Sequence, residues 1–346
     1  MLSDKYDKIL NCLVTQEHGM EILNGILKEE LSRLRELKKN YEHKLNEFPK
    51  GSLINKEIKG HIYYYLNYRD GKKSIFKYLG KLNKEEISQI KNKIEERRKL
   101  RKLYIQTKEN IIEIEKNPMK RKSNLFLTTL NMFNNAGVLE DIILIGSWCH
   151  YFYRIYFSNT QEITLLRTLD IDFLIPNPPK IHKDVNIPEI LDTLDFIPSH
   201  DYLTGYTKYV HPELELEFLI AELGRGKGNK PYEIPKLHIN AQGLRFLNLL
   251  QWYTIKIEYE NVNVIVPEPA AYVLHKFIIY ERRLNKEKQK RDLLSAKGIG
   301  EFLLQNRTQQ KKIIEIFNSL PNKWQKLVLR NLKDNSKLLY EFLIKI

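Results

Sequence analysis

The spacing of apolar positions changes twice along the chain. In "GILKEELSRLRELKKNYEHKL", Ile26, Leu31, Leu34, Leu37 and Leu45 recur about three and four residues apart among charges, which predicts a long helix within residues 1–50. Pro49-Lys50-Gly51 closes it. The stretch "HIYYYLNYRDGKKSIFKYLGK" then reads as two β-rich runs around Arg69-Asp70-Gly71-Lys72, and Asp-Gly between such runs predicts a hairpin. Helical spacing returns in "NKEEISQIKNKIEERRKLRKLYIQTKENIIEIE". Two helices flanking a hairpin predict an antiparallel, coiled-coil-like pair with a β-ribbon at its tip.

Beyond residue 120 the pattern is mixed. "LFLTTLNMFNNAG" predicts a helix leading into the strand "DIILI". Further strands are expected in "LRTLDIDFLIP", "YTKYV", "LELEFLIAE" and "NVNVIVP", separated by turns rich in Pro, Gly and Asn. "EPAAYVLHKFIIYERRLNKEKQKRDLLSA" and the segments after it return to helix. The fold class expected is α+β, in three parts: a helical hairpin with a ribbon (1–118), a mixed-sheet core (119–267) and a helical C-terminal region (268–346).

Charge adds a partner class. The formal net charge is +14, and residues 1–120 alone hold 27 Lys and Arg against 18 Asp and Glu. Such an excess favours a polyanionic partner. In the ribbon the basic groups alternate with Tyr63, Tyr64, Tyr65, Tyr68, Phe76 and Tyr78. Those rings either stack on bases while the cations track phosphates, or they stabilise a small exposed sheet. Cys12 and Cys149 are far apart and imply no disulfide framework. No signal peptide and no membrane-length apolar run is visible, so no membrane partner and a cytoplasmic location are expected.

Candidate chemistry centres on carboxylates. "TLDIDFLI" places Asp170 and Asp172 on one face of a strand, with Leu169, Ile171 and Phe173 on the other. "ELELEFLI" repeats this with Glu215 and Glu217 against Leu214, Leu216 and Phe218. Paired carboxylates repel unless a divalent cation lies between them. If the two strands are neighbours, a third acidic group joins the pair, and either Glu217 or Glu215 fits. Upstream, "LIGSWCHYFYRIYF" breaks from strand to helix at Gly146-Ser147, a junction that often turns backbone N–H groups toward a phosphate. Lys276 lies between "YVLH" and "FIIY", where a charge needs a partner.

The order strand, Gly-Ser turn, helix, Asp-x-Asp strand, acidic strand resembles the nucleotidyltransferases of the polymerase-β type. "LIGSWCHYFYRIYF" through "TLDIDFLIP" is similar to bacterial nucleotidyltransferase-like families that include toxin nucleotidyltransferases, over residues 125–300. The resemblance implies that Gly146 and Ser147 hold a triphosphate, and that Asp170, Asp172 and Glu217, or Glu215 in its place, are catalytic and hold Mg2+ or Mn2+. It also matches Lys276 and the Arg291-Asp292 pair to a lysine and Arg-Asp of toxin-like relatives, making Lys276 and Asp292 candidate nucleotide-binding residues. The segment between Ser147 and Asp170 departs from the common spacing through an additional "FSNTQEITLLRT". The reaction implied is transfer of a nucleoside monophosphate from a nucleoside triphosphate to an acceptor hydroxyl; the basic N-terminal part points to RNA, such as a tRNA end, as the acceptor, with a protein or a small hydroxylated molecule as the alternatives. A two-metal nuclease, or an inactive transferase domain serving as a nucleic-acid-binding scaffold, are the rival readings.

Overall fold

The computed structural model describes residues 31–71, 73–116, 125–158, 160, 163, 170–224, 226, 230–283 and 285–345. Ile26, Cys12, Leu169, Lys72, and much of "FSNTQEITLLRT" and "GRGKGNK", fall outside the described residues. The chain divides into two compact units, one of residues 27–121 and one containing residues 122–346.

In the smaller unit, α1 (residues 31–47) and α2 (Lys84–Lys116) run antiparallel. Leu34, Leu37, Tyr41 and Leu45 are buried on α1, and Ile94, Leu100, Leu103 and Ile114 on α2. Spacings of three and four residues put the α1 set on one helix face, and with buried Thr107 and Asn110 the α2 residues from Leu100 to Ile114 repeat it. Arg35 pairs with Glu115 at 3.0 Å, and the Tyr104 hydroxyl donates to Glu42 at 2.6 Å, which fixes the antiparallel sense. α2 starts on a reciprocal cap: Glu86 N–H donates to Asn83 Oδ1, and Asn83 N–H to Glu86 Oε2, both at 2.8 Å.

Between these helices lies a three-stranded antiparallel meander, β1 (Ser52–Ile58), β2 (His61–Asp70) and β3 (Lys73–Gly80). The expected hairpin is β2–β3, with Asp70 opposite Lys73. β1 is an addition to the expected ribbon. Its turn to β2 uses Lys59 and Gly60, both left-handed at φ 52° and 73°, the conformation that matches strand twist in a two-residue loop.

The larger unit opens with α3 (Leu125–Ala136), β4 (Ile143–Ile145) and α4 (Cys149–Tyr156). β5 (Asp170–Ile175), α5 (Ile187–Thr193), β6 (Ile197–His200), β7 (Thr207–Val210) and β8 (Glu215–Ala221) follow. Next come β9 (Tyr232–Ile234), β10 (Ile239–Leu244), α6 (Asn248–Trp252) and the hairpin β11 (Thr254–Tyr259) and β12 (Val262–Pro267). The sheet is mixed, in the order β4-β5-β8-β10-β9, with β5, β8 and β10 parallel. β8 shares its second edge: Glu215 and Leu216 pair with β7, while Leu219–Ala221 pair with β10.

Alternation along the central strands feeds two apolar layers. Leu144, Ile171, Phe173, Leu216 and Phe218 enter the main core, and Ile143, Ile145, Leu174 and Leu219 pack with Leu247 and Leu250 on the other side. The C-terminal helices are α7 (Pro269–Ile279), α8 (Lys286–Leu303), α9 (Arg307–Ser319), α10 (Asn322–Asn335) and α11 (Lys337–Leu343). Glu268 caps α7 by accepting from Ala270 N–H at 2.7 Å. Tyr272, Leu274, Phe277, Ile299 and Ile316 join the same core as the sheet, so the expected boundary at residue 267 separates no hydrophobic core. Among the described residues, no helix is long and apolar enough to cross a membrane.

Candidate active site

β5 and β8 are parallel neighbours in a register that sets Asp170 opposite Glu215 and Asp172 opposite Glu217. Strand periodicity then brings all four carboxylates to one face. Ile171, Phe173, Leu216 and Phe218, buried on the other face, lock the register, because a one-residue slip would drive carboxylates into the core. Asp170, Asp172 and Glu217 remain half-buried and reachable, whereas Glu215 is buried.

β4 lies on the far edge of β5, with Ile145 opposite Asp172, and so delivers Gly146 to the acidic face. Gly146 has φ +78° and begins a single 3-10 turn, Gly146–Trp148, that runs straight into α4. A β-carbon there would lie 2.2 Å from Asp172 Oδ2. Glycine here therefore lets the turn close directly against a carboxylate of the acidic pair. Ser147 is half-buried on the same turn. Trp148 anchors the turn by stacking on Phe126, ring centroids 3.6 Å apart. The Cys149 thiol is fully buried, and burial pushes it up to about 12, which leaves too little thiolate for nucleophilic work.

The carboxylates disturb one another. Burial, and next the Asp170 charge, raise Asp172 to about 7, against the downward pull of Lys276, Arg283 and Lys288. Burial, followed by Asp172 and Glu215, raises Glu217 to about 8, opposed by Lys208. Lys208, on β7, is ion-paired with Glu215 and lies within electrostatic reach of Glu217 and Asp170. No sequence pattern singles out Lys208 or Lys288. A lysine in "YTKYV" acquires meaning once β7 is known to pair antiparallel with β8, placing Val210 opposite Glu215.

Lys276 and Asp292 are brought together. Lys276 Nζ lies 2.6 Å from Asp292 Oδ1 and 5.3 Å from the centroid of the Tyr272 ring. Arg283 Nε lies 2.9 Å from the second oxygen of the same carboxylate. Arg283 reaches this carboxylate from beyond the end of α7. Burial works to raise the Asp292 carboxyl, but Lys276 and Arg283 together outweigh it and hold it below the ordinary carboxylate range. Lys276 thus has the partner its apolar surroundings require, and its charge still acts on Asp172.

The donor set suits a hard divalent cation: oxygen ligands, two of them on one strand, in a site where burial and mutual repulsion favour protonation unless a cation compensates. Among the described residues, no three His, Cys, Asp or Glu side chains are drawn together as a ready-made cage.

Residues 126–319, more than half of the chain, match a family described as nucleotidyltransferase. Residues 27–89 match a domain of unknown function, DUF6788. Among curated proteins none matches. A solved structure, an antigenic nucleotidyltransferase-like protein from Paracoccidioides brasiliensis, is similar at 13% identity and a TM-score of 0.36, over 64% of this chain and 92% of that one. On the match over residues 126–319, the chain belongs to the nucleotidyltransferase family.

Proposed function

We propose that this protein is a magnesium-dependent nucleotidyltransferase that moves a nucleoside monophosphate from a nucleoside triphosphate to an acceptor hydroxyl. The proposed acceptor is RNA, in particular a tRNA end, as in a toxin-type transferase. The observation that carries the reading is the pairing of Asp172 with Glu217 across β5 and β8, beside the Gly146-Ser147 turn.

Asp170 and Asp172 would hold the cation, with Glu217 beside it. Bound there, a divalent cation neutralises charge on the triphosphate and its leaving group. Glu217, raised to about 8, is a carboxylate able to take the acceptor hydroxyl proton near neutral pH. The hydroxyl oxygen bonds to the α-phosphorus, the bond from that phosphorus to its bridging oxygen breaks, and pyrophosphate leaves. Gly146 and Ser147 would position the phosphates. Lys276, steadied by Asp292, would supply positive potential across the site.

The test incubates the full chain with each α-labelled triphosphate, Mg2+ or Mn2+, and total RNA, purified tRNA or protein. Label entering tRNA or other RNA with release of pyrophosphate is expected. RNA shortened without label would replace this reading with the nuclease. RNA bound but neither labelled nor shortened would replace it with the inactive scaffold.

A further inference from the structure

The register of the β1–β2–β3 meander sorts its residues by face. Residues directly opposite one another across strands share a side. Lys56 faces Tyr63, Tyr65 faces Tyr78, and Asn67 faces Phe76, so four rings and Lys56 occupy one surface. The rings touch: Tyr78 lies 5.3 Å from Tyr65 and 6.1 Å from Tyr63, centroid to centroid. Lys56 Nζ stands 4.6 Å from the Phe76 centroid and 5.4 Å from that of Tyr65, and Lys81 Nζ 5.7 Å from that of Tyr63.

This surface is open. Tyr78 is 56% and Phe76 47% exposed, with Tyr63 and Tyr65 half-buried beside them. It is also purged of negative charge. The same alternation that gives it Lys56 and Arg69 puts both meander carboxylates, Glu57 and Asp70, on the other side. Cation–π attraction accounts for Lys56 and Lys81 over the rings, but it asks neither that Phe76 and Tyr78 stay exposed nor that Arg69 join the same face. A ladder of rings rimmed by cations and cleared of carboxylates matches a ligand that presents flat π-faces joined by anions.

We infer that this aromatic face of the meander binds single-stranded nucleic acid, with unpaired bases stacking on Tyr63, Tyr65, Phe76 and Tyr78 and phosphates passing Lys56, Lys81 and Arg69. A duplex keeps its bases stacked on each other and cannot offer those faces. The inference deepens the RNA acceptor of the proposed function but uses none of its catalytic residues.

The experiment reads binding with triphosphate and metal withheld, so its outcome is separate from that of the transfer assay. Fluorescence anisotropy of the full chain is measured with a labelled mixed-sequence 12-nucleotide RNA, the same sequence as DNA, and the blunt RNA duplex. Single strands are expected to bind at least about tenfold more tightly than the duplex. Tyr78→Ala and Phe76→Ala should each weaken single-strand binding by roughly fivefold or more, from the energy of one base–ring stack. Tyr78→Phe should restore it, and Lys77→Ala, which removes a cation from the opposite face, should change it by less than about twofold. Both rings are exposed, so thermal melts of the variants should overlay that of the parent. Tighter binding of RNA than DNA would identify RNA as the source, and equal binding a single strand of either kind. A duplex bound as tightly as the single strands, or ring variants that bind like the parent, would overturn the inference.

Discussion

A β-carbon on Gly146 would lie 2.2 Å from Oδ2 of Asp172, so the turn after β4 and the acidic strand β5 are fitted to each other atom against atom. Two separate costs therefore face Gly146→Ala: the left-handed φ of +78° and the collision with a carboxylate. The backbone part is worth about 1–3 kcal/mol. In an Asp172→Ala background the collision disappears and the backbone part remains. Urea unfolding of the four proteins should give a coupling of about 0.5–3 kcal/mol between the two positions. Strict additivity would mean that the turn and the carboxylate do not constrain one another.

Asp172 and Glu217 tie stability to pH in the falling sense. Both fold with raised values, about 7 and about 8, against roughly 4 in an unfolded chain. The folded state binds more protons across that window, so their contribution is fully present below the unfolded values and is lost as pH rises through 7 and 8. Mg2+ competes with those protons. The rise in melting temperature on adding Mg2+ should be larger near pH 8.5 than near pH 5.5, as expected for a ligand of deprotonated carboxylates. Asp172→Asn should flatten both dependences, and should reduce nucleotide transfer roughly a thousandfold through lost charge stabilisation.

The Lys276–Asp292–Arg283 cluster predicts an asymmetry. Asp292→Asn removes the carboxylate that answers two cations, one of them buried, and should cost about 3–5 kcal/mol. Lys276→Met leaves Asp292 with Arg283 and should cost clearly less. Guanidinium denaturation of both variants checks the order. If Lys276→Met proves the more damaging, Asp292 does not organise the cluster.

Much of this was legible because period-two alternation carries its own geometry. Asp170, Asp172, Glu215 and Glu217 could be assigned to one face from their strands alone, with Ile171 and Phe218 as internal markers. Gly146-Ser147 was legible as a strand-to-helix break. What stayed hidden were elements whose conformation depends on distant partners. β9 spans three residues, Tyr232–Ile234, and exists through its pairing with β10. β1, "SLINKEI", has adjacent apolar residues and no clean alternation, and becomes a strand by pairing with β2. Arg283 follows Tyr272 and Lys276 at helical spacing, yet α7 ends at Ile279, and Arg283 reaches Asp292 from an extended backbone. Contacts made by chain reversal leave no period to read.

Lys208 offers the sharpest separation of roles. Its ammonium is paired with buried Glu215, and Glu217 and Asp170 also pull on it. Burial works to lower the Lys208 value, but the carboxylates outweigh it and raise it. Removing the ammonium in Lys208→Met deletes the cation that opposes the upward shift of Glu217, so Glu217 should hold its proton to a higher pH. If Glu217 takes the proton of the acceptor, the acidic limb of kcat/KM must move to higher pH in this variant. The plateau at high pH should stay within about threefold, since a general base recovers its function once ionised. Lys208→Arg keeps the charge and should leave the limb in place. A lysine that contacted the triphosphate would behave differently: its loss would raise KM for the nucleotide and leave the limb unmoved. Measuring the full profile for the parent and both variants distinguishes the two, and a limb unmoved in Lys208→Met would remove Glu217 as the proton acceptor.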